Sequence, residues 1–196
     1  YKADEATESP AAEPEQAVEE ATDEEPESPQ EADTGETEDS RTGFSFPLSQ
    51  HRPDSVANII FTIYSKGALL SKSTGGDFFV SDELRDKVRE GNFRTVDEIT
   101  AVLKEAGDDD LRGIDFDDSR VSYCGFPGDA DPDTINAWMK LCEAINKACI
   151  SQKKVLPKRN TEPNEKFSLH VWLTQIWMSG PDLKEERKIY YRNLTG

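Results

Sequence analysis

The sequence predicts a mainly α fold: a single compact helical domain with a small β-hairpin, preceded by a disordered acidic arm. Two compositional facts carry most of that prediction. Residues 1–43 hold sixteen Asp and Glu against Lys2 and Arg41, with four prolines and only Tyr1 and Val18 as bulky apolar side chains. Such a stretch has too little apolar surface to offset the entropy of ordering. Residues 44–196 hold all three Trp, all nine Phe and every Ile and Leu, in a length that suits one domain. The arm therefore carries nearly all of the formal net charge of -17, and the domain is close to neutral. The third observation is the recurrence of apolar residues at helical spacing throughout the second part.

Val56, Ile59, Ile60, Ile63, Tyr64 and Gly67 follow the i, i+3, i+4, i+7 stripe of an amphipathic helix, and Pro53 suits its first turn. This predicts a helix over 53–71 that stops before Gly75-Gly76. Phe78-Phe79-Val80 reads as a short extended piece leading to Ser81, an N-cap with Asp82 and Glu83 behind it, for a helix ending near Gly91. Thr95-Val96-Asp97-Glu98 has the form of a capping box before Ile99, Val102 and Leu103, with a stop at Gly107.

Around Asp117-Asp118-Ser119-Arg120, Ile-Asp-Phe and Val-Ser-Tyr alternate as the two strands of a hairpin would. Asp131-Pro132 opens what reads as the longest helix, with Ile135, Trp138, Met139, Cys142, Ile145 and Cys149 on one face up to Gln152. A helix over 164–178 carries Phe167, Leu169, Val171, Trp172, Leu173, Ile176 and Trp177 on more than one face, which predicts the central buried element. Gly180-Pro181 breaks the chain before a last helix with Leu183, Ile189, Tyr190 and Leu194.

Several function classes lose support at this level. No apolar run approaches bilayer length, and Tyr1 opens into acidic low complexity instead of a basic then apolar leader, so no membrane partner is expected. Cys124, Cys142 and Cys149 are odd in number and lack a CxxC pair, which argues against a disulfide framework and a zinc ribbon and favours a reducing cytoplasm. A first residue other than Met, inside a polar tract, reads as a linker with a further module ahead of it.

No catalytic, cofactor or metal site is expected. Ser71-Lys72-Ser73-Thr74 after Gly67 lacks the spacing of a phosphate loop and ends a helix where such a loop joins strand to helix. Asp108-Asp109-Asp110-Leu111-Arg112-Gly113 resembles the start of a calcium loop, but Arg112 and Ser119 occupy positions that need oxygen ligands. Ser151-Gln152-Lys153-Lys154 has the S-x-x-K spacing without its companion motifs. Cys142 and Cys149 read as small core hydrophobes, and His170 has Thr174 where a metal-binding partner would stand.

The one feature that points to a ligand is a basic cluster, Lys153, Lys154, Lys158 and Arg159, with Lys147 and Lys166 near it in sequence and Lys184, Arg187, Lys188 and Arg192 in the last helix. In a nearly neutral domain this segregation can attract phosphate backbones, so these four residues are the predicted nucleic-acid-binding positions.

His51-Arg52-Pro53-Asp54-Ser55-Val56-Ala57-Asn58-Ile59-Ile60 with Ile63-Tyr64-Ser65-Lys66, and Asn164-Glu165-Lys166-Phe167 through Trp172-Leu173, also carry a family likeness. With Gly125-Phe126-Pro127 and the closing Tyr191-Arg192-Asn193-Leu194-Thr195-Gly196, they make most of 47–196 resemble the virulence-related proteins of prophages and integrative mobile elements in Gram-positive gut bacteria. The resemblance implies a small module ahead of an acidic linker, and brings no activity, catalytic residue or cofactor with it.

The expectation is thus a non-enzymatic accessory or adaptor protein of a mobile genetic element, cytoplasmic, whose partner is nucleic acid or another mobile-element protein. The rival is an enzyme whose site is assembled from distant residues, with His51, His170, Lys66 and Lys72 as the free polar candidates. In a third reading the acidic arm itself imitates nucleic acid and occupies a basic partner.

Overall fold

The computed structural model describes residues 41–196. They form an α/β fold with six helices and two small sheets, 54% helix and 14% strand, which corrects the mainly α expectation. The strands are β1 (Arg41–Pro47), β2 (Phe79–Val80), β3 (Leu111–Arg112), β4 (Ile114–Phe116) and β5 (Arg120–Pro127). The helices are α1 (Pro53–Thr74), α2 (Asp82–Glu90), α3 (Val96–Lys104), α4 (Pro132–Ser151), α5 (Glu165–Gln175) and α6 (Lys184–Tyr191). The disorder expected of the arm concerns residues outside the described ones, except that Arg41, Thr42 and Gly43 open β1.

The expected hairpin is present as β4 and β5, with Phe116 opposite Val121. The correction lies in what joins it. Strand β1 pairs antiparallel with β5 on its other side, giving the order β1-β5-β4, while β2 and β3 make a second ladder. Phe44-Ser45-Phe46 alternates with period two, and its two rings lean over Phe126 and Tyr123 of β5 at 5.5 and 5.8 Å between centroids. Phe126 also stacks on Trp138 of α4 at 5.1 Å and meets Phe78 edge-on at 4.9 Å, so one ring joins sheet, helix and loop.

The central helix is α1, which packs against α2, α3, α4, α6, β2 and β5. Fifteen of its 22 residues are buried, including Asn58, Thr62, Ser65, Ser73 and Thr74, so it is enclosed nearly all round and not on one stripe. It ends at Thr74, three residues past the predicted stop, where Gly75 takes a left-handed turn at φ 75°. Helix α5 does not hold the central place predicted for it. It buries Ser168, Leu169, Trp172 and Leu173 and leaves Phe167 57% exposed.

It also ends early, at Gln175. Trp177 adopts φ 62° and the Met178 N–H reaches back to the Leu173 carbonyl at 2.7 Å, a Schellman closure made with Trp where glycine is usual.

The capping signals are realised locally. Ser81 Oγ accepts from the Leu84 N–H at 3.0 Å, Asp131 Oδ1 from Thr134 at 3.0 Å and Asn164 Oδ1 from Phe167 at 2.8 Å. Thr95 caps α3 through the Glu98 N–H at 3.2 Å, but the Glu98 carboxylate takes the Arg94 N–H at 2.7 Å, one residue earlier than the box would have it.

Candidate nucleic-acid interface

The predicted cluster sits on the segment between α4 and α5, and α1 fixes its path. Asn58, Thr62 and Ser65 stand at i, i+4 and i+7 on one stripe of α1, each buried and polar. Asn58 Nδ2 donates to the Cys149 carbonyl at 3.2 Å and the Gln152 carbonyl at 2.9 Å, and its Oδ1 accepts the Val155 N–H at 2.9 Å. Ser65 Oγ donates to the Leu156 carbonyl at 3.2 Å, and the Ser65 carbonyl accepts the Asn160 N–H at 3.3 Å. A segment without regular structure thus has its buried backbone groups paired by side chains of the central helix, the condition for laying it on a core.

Arg159 makes the last attachment. Its guanidinium lies 4.4 Å from the Tyr64 ring centroid and 3.8 Å from Asp82, whose Oδ1 also accepts the Tyr64 hydroxyl at 2.6 Å. The hydroxyl bond, followed by the nearby Arg159 and Arg85 charges, holds the Asp82 carboxyl below its ordinary range. Of the four predicted cations, Arg159 is therefore the one that anchors the loop.

Lys153, Lys154 and Lys158 are exposed, and among the described residues none of the three has a side-chain ion pair or hydrogen bond. They divide between two clefts. Lys154 and Lys158 line one of about 490 Å³ with Lys66 of α1, Gln152, Gln175 and an apolar wall that includes Trp172 and Ile176. Its lining contains three lysines and no Asp or Glu. Lys153 and Lys154 line a second, of about 690 Å³, with Arg89, Asp54 and Phe93.

Lys66 is half-buried, has no partner among the described residues, and burial pulls its ammonium below its ordinary range. The last helix adds less than its sequence promised. Arg187 donates to the Met178 and Gly180 carbonyls, Lys188 pairs with Glu185 at 2.8 Å, and Arg192 donates to Thr134 Oγ1 at 2.7 Å.

The four polar candidates of the rival reading have separate surroundings. His51 is buried, with Nε2 3.1 Å from Asn146 Oδ1 and Nδ1 3.1 Å from Ser55 Oγ. The contacts have the order of a hydrolytic triad, yet Ser55 is buried and its hydroxyl is held by the Arg52 N–H at 2.8 Å and the Arg52 carbonyl at 2.9 Å. His170 is exposed and meets the Tyr191 hydroxyl at 3.1 Å. Lys72 is paired with Glu165 at 2.7 Å, and only Lys66 faces the lysine cleft. Among the described residues no cluster of three His, Cys, Asp or Glu can hold a metal ion.

Two of these arrangements predict separate pH windows. Burial holds the His51 imidazole below its ordinary value of 6.5, outweighing the Asn146 bond, so the folded state prefers it neutral. That contribution to stability is complete above 6.5 and is lost as pH falls through the folded value, because the unfolded chain binds the proton first. The Lys72 ammonium, then the Thr195 N–H and hydroxyl, hold Glu165 at about 2, so its contribution is present above 4.5 and lost on the way down to 2. The thermal midpoint should therefore already fall between pH 7 and 5. His51→Gln should start from a lower midpoint and flatten this limb while keeping the drop below pH 4.5, and a parallel limb in the variant would remove His51 as its source.

Sequence reasoning misses Asn58, Thr62 and Ser65 as parts of the site and names Lys66 only for the rival enzyme, although the first three carry a legible signal: a polar stripe within the apolar run of α1 has to face something polar. Gln152 and Gln175 give no comparable sign, since only tertiary packing brings the ends of α4 and α5 to one cleft. No helix among the described residues is long and apolar enough to cross a membrane. Neither protein-family models nor curated proteins nor solved structures give a match to this chain.

Proposed function

We propose that the domain is a non-enzymatic accessory or adaptor protein that contacts nucleic-acid phosphates through Lys153, Lys154 and Lys158. The observation that carries this reading is that these three neighbouring cations are exposed and without anionic partners in a nearly neutral domain, on a loop whose backbone is pinned to the core. With the loop backbone already ordered, meeting phosphates costs only the freedom of the lysine side chains, and each contact releases counterions. Trp177, 56% exposed in its left-handed turn and next in sequence to the cleft-lining Ile176, offers a ring for stacking an unpaired base, which favours single strands. The mobile-element setting rests on the sequence resemblance alone. The cytoplasmic one is supported by three free thiols, two of them buried.

A fluorescence titration of the full chain with single-stranded and duplex DNA at two salt concentrations tests the reading. The triple Lys→Gln variant at 153, 154 and 158 should weaken binding and lower the log-log salt slope by roughly 2 to 3 units, near 0.7 to 0.9 for each phosphate that is no longer neutralised. Its thermal midpoint should move little, since exposed unpaired side chains are replaced. Arg159→Gln should behave in the opposite way, loosening the loop and lowering the midpoint with a smaller change of slope. Flat titrations of the wild type at low salt would remove nucleic acid as the partner and leave a protein of the same mobile element.

A further inference from the structure

The cleft beneath the loop is chemically unlike the exposed cluster above it. Lys66 from α1 and Lys154 and Lys158 from the loop line a space of about 490 Å³, within the range of small-ligand clefts, about 300 to 1,000 Å³. The lining is one-sided in charge, with no carboxylate to neutralise three ammonium groups. Lys66 is the telling member. A half-buried lysine without an anionic neighbour is destabilising, and burial already shifts its ionisation toward the neutral amine, so an anion entering the cleft restores what desolvation takes away.

The other walls are not those of a bare anion site. Trp172 and Ile176 give an apolar side, and Gln152 and Gln175 bring two side-chain amides that, among the described residues, have no hydrogen-bond partner. Amides of this kind offer a donor and an acceptor side by side, the pairing used against the edge of a nucleobase. Three ammonium groups, apolar side chains and free amides around one cleft match a ligand that carries both a phosphate and a polar-edged ring.

We propose that this cleft binds a nucleoside phosphate, either free or as the terminal unit of a strand, with Lys66, Lys154 and Lys158 on the phosphate and Gln152 and Gln175 on the base. It deepens and rests on the reading of these lysines as phosphate contacts. Lys66 stands on the central helix and is half-buried, unlike the exposed loop lysines with which it lines the cleft. Its part is to receive a phosphate that enters the cleft. Ser65 and Thr62 line the same cleft, but their hydroxyls are engaged with the Phe61 and Leu156 carbonyls and with Cys149 Sγ. They shape the wall and are not counted among the ligand contacts.

The test uses the full chain with AMP, inorganic phosphate, and oligonucleotides bearing a 5′-phosphate or a 5′-hydroxyl, followed by calorimetry at low salt. AMP is expected to bind at least about tenfold tighter than inorganic phosphate, and Lys66→Gln to weaken AMP roughly tenfold, the effect of removing one charge-assisted hydrogen bond, while Lys66→Arg keeps most of the affinity. Lys87→Gln, at an exposed lysine of α2 that lines neither cleft, should leave AMP binding unchanged. A preference for the 5′-phosphorylated oligonucleotide would identify a strand end as the source, and AMP binding without that preference a free nucleotide.

Absence of saturable AMP binding in the millimolar range overturns the proposal, as does AMP binding that is no tighter than inorganic phosphate or is indifferent to Lys66→Gln. If oligonucleotides still bind with a salt slope in that case, the backbone reading stands by itself. If AMP binds and oligonucleotides do not, the cleft stands and the backbone reading falls.

Discussion

Gly113→Ala is expected to destabilise the domain by about 2 to 5 kcal/mol, the sum of a left-handed backbone penalty of about 1 to 2 and an overpacking penalty of about 1 to 3. Gly113 joins β3 to β4 at φ 80°, and a Cβ there would sit 2.2 Å from the Asp77 carbonyl oxygen. The obstruction is backbone and cannot swing away. Gly125 meets the same point from β5, its own Cβ position lying 2.4 Å from the Asp77 oxygen.

The bonds at this crossing explain why it is tight. The Asp77 N–H donates to the Gly125 carbonyl at 2.8 Å, and the Cys124 and Gly125 N–H groups converge on the Gly113 carbonyl at 2.9 and 3.2 Å. The segment leaving α1 is thereby fastened to β5 and to the connection between the two sheets. Any shift that relieves an added methyl breaks these bonds. Urea unfolding of Gly113→Ala beside Gly107→Ala, where an added Cβ meets nothing within 4 Å, separates this crossing from a general cost of replacing glycine. A Gly113→Ala midpoint equal to that of Gly107→Ala would show that the crossing relaxes freely.

This crossing also marks where sequence reading stops. Helices with caps and long apolar periods are legible because their determinants lie within a few residues: Ser81 with Leu84, Asp131 with Thr134, Asn164 with Phe167. The β4–β5 hairpin is legible for the same reason. Strand β1 is not, since its partner is β5, some eighty residues later; β2 is legible as the extended piece at Phe79-Val80, but its pairing with β3 is not. Helix α5 stands out in the sequence by its density of large apolar residues. Phe167 and Trp177 are exposed all the same, while α1, which mixes Asn, Thr and Ser into its apolar run, is the enclosed one.

The site divides in the same way. Its cations are legible as a run in sequence, because nothing nearby neutralises them. That Arg159 folds back onto Tyr64 and Asp82, and that Lys66 joins Lys154 and Lys158, depends on α1 passing beneath the loop, which no local pattern encodes.

Trp172→Ala should give the other large effect, a loss of about 3 to 5 kcal/mol, the usual cost of truncating a buried indole. Although α5 is peripheral, Trp172 is 4% exposed and is flanked on the buried face by Leu169, Leu173 and Ile176. Peripheral helices are held by a few such insertions, here Trp172 with Leu169 and Leu173, and the exposed ties of α5 are polar: Glu165 to Lys72 and Thr195, and the Lys166 N–H to the Thr195 carbonyl at 3.3 Å. Those exposed contacts contribute little in water, so the buried apolar side chains, of which the indole is the largest, carry most of the attachment.

Trp177→Ala is the matched control. The same side chain is removed from a ring 56% exposed, so the unfolding free energy should change by no more than about 0.5 kcal/mol. Trp172 also lines the lysine cleft, so its removal takes away part of the apolar wall and widens the cleft beside Lys66, Lys154 and Lys158. Chemical unfolding followed by far-UV circular dichroism avoids dependence on the fluorophore being deleted. A Trp172→Ala protein that unfolds with the midpoint of wild type would mean that Leu169, Leu173 and the polar ties dock α5 without the indole, and that the wall of the cleft is free to rearrange around whatever enters it.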